Sequence, residues 1–249
     1  MVDDGAGRAA EGRPVSASAV PAGIGQALKD IRLVIFDLDG TLVDSVPDIA
    51  ASADIMLRQM GLPSCGELAV RHAIGNGIDR LVKRLLTGEV AGEPEDVVFR
   101  QALQLFDKAY GEHLSERSTL YPGAHTTLGQ LRRAGLKLCC VTNKAERFTL
   151  PLLAKLDICQ LFHLVLSGDS LPRKKPDPMP LLHAAERLDV PVANSLMVGD
   201  SKHDITAAQR AGMLSIAVPY GYNHGEDIRL AEPDLLVQNL SELPALLGF

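Results

Sequence analysis

The sequence predicts a doubly wound α/β fold, a parallel sheet flanked by helices, with a separate helical unit inserted into it. Three observations lead there. Short apolar runs rich in β-branched residues alternate with segments of helical period, the alternation that builds parallel sheets. The first, second and fourth of these runs end abruptly in polar or acidic residues, as Leu33-Val-Ile-Phe36 does in Asp37-Leu38-Asp39-Gly40-Thr41. Residues 47–120 carry helical character with no strand between them. That is far more chain than the dozen or so residues of a parallel crossover.

Taken in order, residues 1–23 are rich in Ala, Gly, Ser and Pro without a period, and predict a disordered leader. Residues 24–30 predict one short helical turn. The run 33–36 is near-continuously apolar, as a strand buried on both faces must be. Pro47 suits the first turn of a helix, and Ile49, Ala53, Met56 and Met60 follow at helical spacing until Gly61 and Pro63 stop it. Segments 68–86 and 95–114 continue the helical pattern. In the latter, Leu103, Phe106, Tyr110 and Leu114 form a stripe expected to be a helix–helix core. Beyond Tyr121-Pro-Gly123 the alternation resumes. Helices are predicted at 127–134, 150–156, 179–188 and up to 211, and strands at 136–142, 163–167, 195–199 and 214–218. The expected architecture is a Rossmann-like core from 24–46 and 121–249, with a helical cap at 47–120 leaving the sheet just after the two acids.

Composition narrows the function. A net charge of −6 and a 4% aromatic content without tryptophan argue against a nucleic-acid or acidic-membrane partner. No apolar run approaches the ~18 residues of a membrane span. The N-terminus lacks the basic-then-apolar order of a signal peptide. The four cysteines form no CxxC pair, and Cys139-Cys140 lies inside a predicted buried strand, so reduced structural thiols in a cytoplasmic protein are expected.

In open α/β sheets the ligand crevice lies at the carboxyl ends of the strands. There the first strand brings Asp37 and Asp39, the second Thr142 and Asn143, and the fourth Asp200, while Lys175 lies in the rigid loop Arg173-Lys-Lys-Pro-Asp-Pro178. Two acids so close repel one another unless a cation or a shared proton lies between them. Three carboxylates and a lysine suit a hard divalent cation, Mg²⁺ above all, shared with a phosphate. An Asp-Gly turn without function, a calcium loop and a dinucleotide fingerprint fit less well. Gly40 is fourth rather than sixth from Asp37, and Arg80 stands where a third glycine would follow Gly75-Asn-Gly77. Helix capping by Asp200 is an alternative to metal binding, with Ser201 able to take the cap instead. Lys174 is a weaker phosphate ligand than Lys175, and the scattered histidines, His72, His203 and His224 among them, are expected to be structural or at the surface.

Asp37-Leu-Asp39-Gly-Thr-Leu-Val-Asp-Ser45, Val-Thr142-Asn143-Lys, Lys175-Pro-Asp-Pro and Val-Gly-Asp200-Ser-Lys-His-Asp204 resemble the four motifs of haloacid-dehalogenase-superfamily phosphatases. Arg71-His-Ala-Ile-Gly-Asn-Gly77, Tyr121-Pro-Gly, Ser167-Gly-Asp169 and Tyr220-Gly-Tyr-Asn223 are similar to the phosphoglycolate phosphatase branch. The resemblance covers about residues 31–247. It implies Asp37 as nucleophile, forming an aspartyl-phosphate, and Asp39 as general acid and base. It implies Mg²⁺ held by the Asp37 carboxylate, the Asp39 backbone carbonyl and Asp200, phosphate held by Thr142, the Asn143 backbone and Lys175, and Asp204 orienting Lys175 or a metal-bound water. It also implies that Gly75-Asn-Gly77, whose other reading is a helix–helix turn in the cap, is a loop facing a small phosphorylated metabolite, 2-phosphoglycolate first. Other small phosphates such as sugar phosphates, and a phosphomutase, share the same chemistry. A dehalogenase needs neither the second acid nor the metal triad. A non-catalytic module storing an aspartyl-phosphate has no use for Asp39 or for the cap.

Overall fold

The computed structural model describes residue 20 and residues 22–249; the predicted leader lies outside them except at its last residues. Helix α1 (Ala22–Lys29) is longer than the single turn expected at 24–30. Strand β1 (Leu33–Phe36) follows, with all four residues fully buried. It pairs in parallel with β4 (Lys137–Val141) on one side and β6 (Ser195–Gly199) on the other. With β5 (Leu164–Leu166), β7 (Leu214–Ala217) and β8 (Leu235–Leu236) the sheet has six parallel strands in the order β5-β4-β1-β6-β7-β8. The chain leaves β1 towards β4 and returns from β5 to β6 on its other side. β1 is therefore the topological switch point, where the crevice of such a sheet opens.

Side chains alternate across the strands, and the two faces are covered separately. Leu33, Ile35, Cys139, Val141 and Met197 pack against α8 (Met179–Arg187) and α9 (Lys202–Ala211). Val34, Phe36, Leu138, Cys140, Leu196 and Val198 face the opposite way, towards α6 (Ala124–Arg133) and α7 (Glu146–Lys155). Both faces being covered explains why the strands read as unbroken apolar runs.

The insertion contains α2 (Val46–Gln59), α3 (Gly66–Ala73), α4 (Ile78–Thr87) and α5 (Asp96–Glu112). In α2 the Ile49, Ala53 and Met56 stripe is buried as its spacing predicts, and α2 packs on α5. The helical stretch expected over 68–86, with Gly75-Asn-Gly77 read as a helix–helix turn or a cap loop, is two helices joined at Ile74-Gly-Asn-Gly77. The Gly75 φ of 136° is outside the helical region and open to glycine. Two strands were not foreseen at the base of the insertion: β2 (Val43–Asp44) leaves the core and β3 (Thr119–Leu120) returns to it, pairing antiparallel. Asp48 fastens the return. Its carboxylate accepts the Arg117 and Ser118 backbone N–H groups at 2.8 Å each, and the Ser118 hydroxyl as well. No helix among the described residues is long and apolar enough to cross a membrane.

Candidate active site

Asp37 is the first residue beyond β1, and its N–H still donates to Val198 O (3.0 Å) as though the strand continued. Its side chain therefore emerges at the carboxyl edge of the sheet between β4 and β6. Lys175 Nζ meets Asp37 Oδ1 at 2.7 Å, Asp204 Oδ1 at 2.6 Å and Val141 O at 2.7 Å. An ammonium has three protons, so in this arrangement all three are committed. Asp204 is in turn fixed through Oδ2, which accepts the Ser201 N–H (3.0 Å) and hydroxyl (2.7 Å) at the start of α9. Ser201 is the N-cap of that helix, and Asp200 is left for the cluster.

Asp200 ends β6 and is gripped by its own pair of donors. Thr41 Oγ1 donates to Oδ1 and the Tyr222 N–H to Oδ2, both at 2.6 Å. The turn carrying Thr41 approaches closely only because residue 40 is glycine. Gly40 has φ 93°, and a Cβ there would overlap the Asp200 carboxylate. One carboxylate oxygen each from Asp37, Asp200 and Asp204 lies within 4.8 Å of the others.

Burial dominates the electrostatics of these acids. It pushes the Asp37 carboxyl up to about 7, with Lys175 pulling the other way and Asp204 adding to the rise. Burial also holds Asp200 well above the usual carboxylate range, reinforced by the charges of Asp37 and Asp204 and only partly offset by Thr41 and Tyr222. Three acids share one lysine, an excess of negative charge in a place that penalises it. This oxygen-only, charge-deficient set fits a hard divalent cation, which supplies the missing positive charge. Asp37 and Asp200 are the carboxylates best placed to hold it, since Asp204 is spent on Lys175 and Ser201.

The Asp39 side chain points away from this cluster, towards the insertion. Its Oδ1 accepts from Ser45 Oγ at 2.6 Å, and Lys144 Nζ lies 3.2 Å from both of its oxygens. The carboxylates of Asp37 and Asp39 are thus separated into different environments. In the metal set expected from the sequence, Asp39 enters through its backbone carbonyl, and its carboxylate is occupied elsewhere.

Thr142 and Asn143 follow β4. Thr142 Oγ1 accepts the Lys144 N–H at 3.1 Å. Asn143 Nδ2 donates to Lys175 O at 3.0 Å and to Gly75 O at 3.1 Å, tying the sheet edge to the α3–α4 turn. Lys174 Nζ, instead of reaching the acids, donates to Asn76 O in that turn (2.9 Å). A side chain at Gly75 would meet His224 Nε2 at 2.9 Å. Gly75 and Gly77 face a cavity of about 60 Å³ that Asp37, Asp39, Thr142, Asn143, Lys175 and Asp200 also line. The turn is both a helix–helix connection and part of the site wall. Its other insertion-side wall is apolar: Ile49, Ile74, Ile78, Leu81 and Phe106. His203 lines it too and, pushed down to about 4 by burial, is neutral.

Three residues given no role in the sequence are part of this site. Lys144 is buried between Asp39 and Tyr110, whose hydroxyl it meets at 2.6 Å. Tyr110 belongs to the stripe expected to be helix–helix core, and its ring does pack against Phe106 and Phe148. Its polar end nevertheless reaches the cavity, and a phenol in an apolar stripe was the available signal. Tyr222 links Asp200 to the insertion. Beyond its N–H contact, its hydroxyl donates to Asp44 Oδ1 (2.5 Å) and accepts the Ser45 N–H (3.0 Å).

A sequence model of the haloacid dehalogenase-like hydrolase family matches residues 34–218. A phosphoglycolate phosphatase of Nitrosococcus oceani is 46% identical over 221 residues, covering 89% of this chain and 98% of that one. One from Escherichia coli is 44% identical over 236 residues, covering 88% and 94%. A crystal structure described as a predicted phosphoglycolate phosphatase from Haemophilus somnus superposes with a TM-score of 0.83 at 35% identity, covering 87% and 98%. On its motifs, its fold and these relatives together, the chain belongs to the haloacid dehalogenase-like hydrolase family.

Proposed function

We propose that the protein is a Mg²⁺-dependent phosphatase that hydrolyses a small phosphomonoester through an aspartyl-phosphate, with 2-phosphoglycolate as substrate and glycolate and phosphate as products. The observation that carries the reading is the separation of the two β1 acids. Asp37 is held by Lys175 beside two further carboxylates, and Asp39 is turned towards the enclosed, mostly apolar side of the same cavity. One acid is placed to attack and the other to handle protons.

Asp37 attacks phosphorus with the carboxylate oxygen turned to the cavity, while Lys175 and Asp204 hold its orientation. Asp39 gives a proton to the departing alkoxide and then takes one from the water that cleaves the acyl-phosphate. Thr142, the Asn143 backbone and Lys175 receive the phosphoryl oxygens; because the Lys175 protons are all engaged, a phosphoryl oxygen replaces one of its present acceptors. Asp37, the Asp39 carbonyl and Asp200 would hold Mg²⁺, whose charge neutralises the phosphoryl oxygens and the attacking acid. The apolar wall excludes bulk water, which strengthens each of these interactions.

The choice of 2-phosphoglycolate rests on relatives of that name at 44–46% identity over nearly their whole length. Phosphate release from 2-phosphoglycolate and from a panel of sugar phosphates, with Mg²⁺ and with EDTA, tests it. Release that requires Mg²⁺ and favours 2-phosphoglycolate by at least ~10-fold in kcat/KM is expected. A sugar phosphate preferred by that margin would overturn the substrate, and release unaffected by EDTA would overturn the metal.

A further inference from the structure

We propose that Lys144 and the Tyr110 hydroxyl form a receptor for a carboxylate on the leaving group, and so set the substrate class of this site. The inference rests on the phosphatase reading and deepens it. Lys144 and Lys175 are the two cationic side chains facing the cavity. Lys175 has no proton to spare, with Asp37, Asp204 and Val141 O as its acceptors. Lys144 also has three acceptors, both oxygens of Asp39 and Tyr110 Oη, but two of them belong to the one carboxylate that leaves it when Asp39 turns to the leaving oxygen, which frees its N–H groups for a substrate anion.

The tyrosine holds an unspent donor. Its oxygen accepts from Lys144, and its own proton has no acceptor among the described residues. Two adjacent donors, one charged, beside isoleucine, leucine and phenylalanine side chains match the two oxygens of a carboxylate. Their position fits the chemistry as well. Lys144 touches Asp39, the acid assigned to the leaving oxygen, so an anion bound at Lys144 lies on the leaving-group side of the phosphorus and away from Lys175.

Burial makes this pairing selective. The Lys144 side chain is 4% exposed, so when Asp39 turns to the leaving oxygen the ammonium is left short of a counter-charge where water cannot supply one. A carboxylated leaving group restores the balance; a neutral one of equal size leaves a buried cation and a phenol proton underused. Besides donating to the carboxylate, Tyr110 positions Lys144, its ring packed in the insertion and its oxygen holding the ammonium at the wall.

The test is kcat/KM of the Mg²⁺-loaded full chain for 2-phosphoglycolate, 3-phosphoglycerate and ethyl phosphate, in the wild type, Lys144→Met, Lys144→Arg and Tyr110→Phe. Activity on all three falls in Lys144→Met, because Asp39 loses a partner. The ratio of carboxylated ester to ethyl phosphate is expected to fall at least ~10-fold further, to recover in part in Lys144→Arg, and to fall less in Tyr110→Phe. Equal losses on all substrates, in variants whose circular dichroism matches the wild type, would overturn the receptor and leave the 2-phosphoglycolate reading standing. A wild type that prefers 3-phosphoglycerate, with that preference lost in Lys144→Met, would keep the receptor and overturn the substrate. A wild type indifferent to the carboxylate would overturn both. Should Lys144→Met fail to fold, Tyr110→Phe decides by the same ratio.

Discussion

Thr41 Oγ1 donates to Asp200 Oδ1 at 2.6 Å, joining the turn after β1 to the end of β6 inside the protein. The hydroxyl and the Tyr222 N–H together fix the orientation of a carboxylate that burial alone would drive towards its neutral form. Asp200 is therefore held ready by its neighbours.

Thr41→Val keeps the shape and removes the donor. Leaving a buried acceptor short of a partner costs about 1–3 kcal/mol, so urea unfolding should show a stability loss of that order. Because a mis-aimed ligand weakens metal binding by about 10–100-fold, the Mg²⁺ concentration for half-maximal activity should rise correspondingly. An unchanged Mg²⁺ dependence would show that Asp200 needs no such support.

Asp204→Asn tests the second support. It removes a charge from Lys175 and weakens the acceptor of Ser201 at the N-cap of α9. Breaking a buried ion pair on one side costs about 3–5 kcal/mol, here moderated because Asp37 still faces the lysine. Thermal unfolding should show a lowered midpoint, and kcat should fall while KM changes little, because the effect acts on the orientation of Asp37. A variant with wild-type kcat would remove Asp204 from the account.

The thiols divide by burial. Cys139 and Cys140 lie inside β4 with their thiols pushed far up by burial, while burial and the Asp54 carboxylate push Cys65 up to about 11. Cys159 is half-buried and free. A disulfide reagent should therefore modify Cys159 first and Cys65 slowly, and Cys139 and Cys140 only after unfolding. Rapid native labelling of the β4 pair, read by mass spectrometry, would contradict the packing described.

How much of this was legible in the sequence follows from the distance over which each feature is determined. Strand β1 and the helices α2, α8 and α9 are local: apolar runs, Pro47 and Gly212 mark them, and they fall within a residue or two of expectation. The break of 68–86 at Gly75 was readable from its two glycines as a helix–helix turn. Strands β2, β3 and β8 have two residues each, too short for any period, and exist only because a distant partner pairs with them. In the site, Asp37, Asp39, Thr142, Asn143, Lys175 and Asp200 do share one cavity, and strand-end placement foresaw that. The contacts of Lys144 with Tyr110 and of Tyr222 with Asp44 span 34 and 178 residues, and nothing within one segment announces them.

The most direct test of the central claim follows a nitrophenyl phosphate, whose leaving group needs no proton, through Asp39→Asn with Mg²⁺. The first step should then proceed from Asp37 and the second should stall for lack of a base. A rapid burst of one nitrophenolate per chain is expected, with Asp37 held as its acyl-phosphate; borohydride then reduces that acyl carbon to the alcohol, releasing phosphate and leaving homoserine at position 37. Steady turnover without a burst, or a phosphoryl group trapped on any other residue, would contradict that claim.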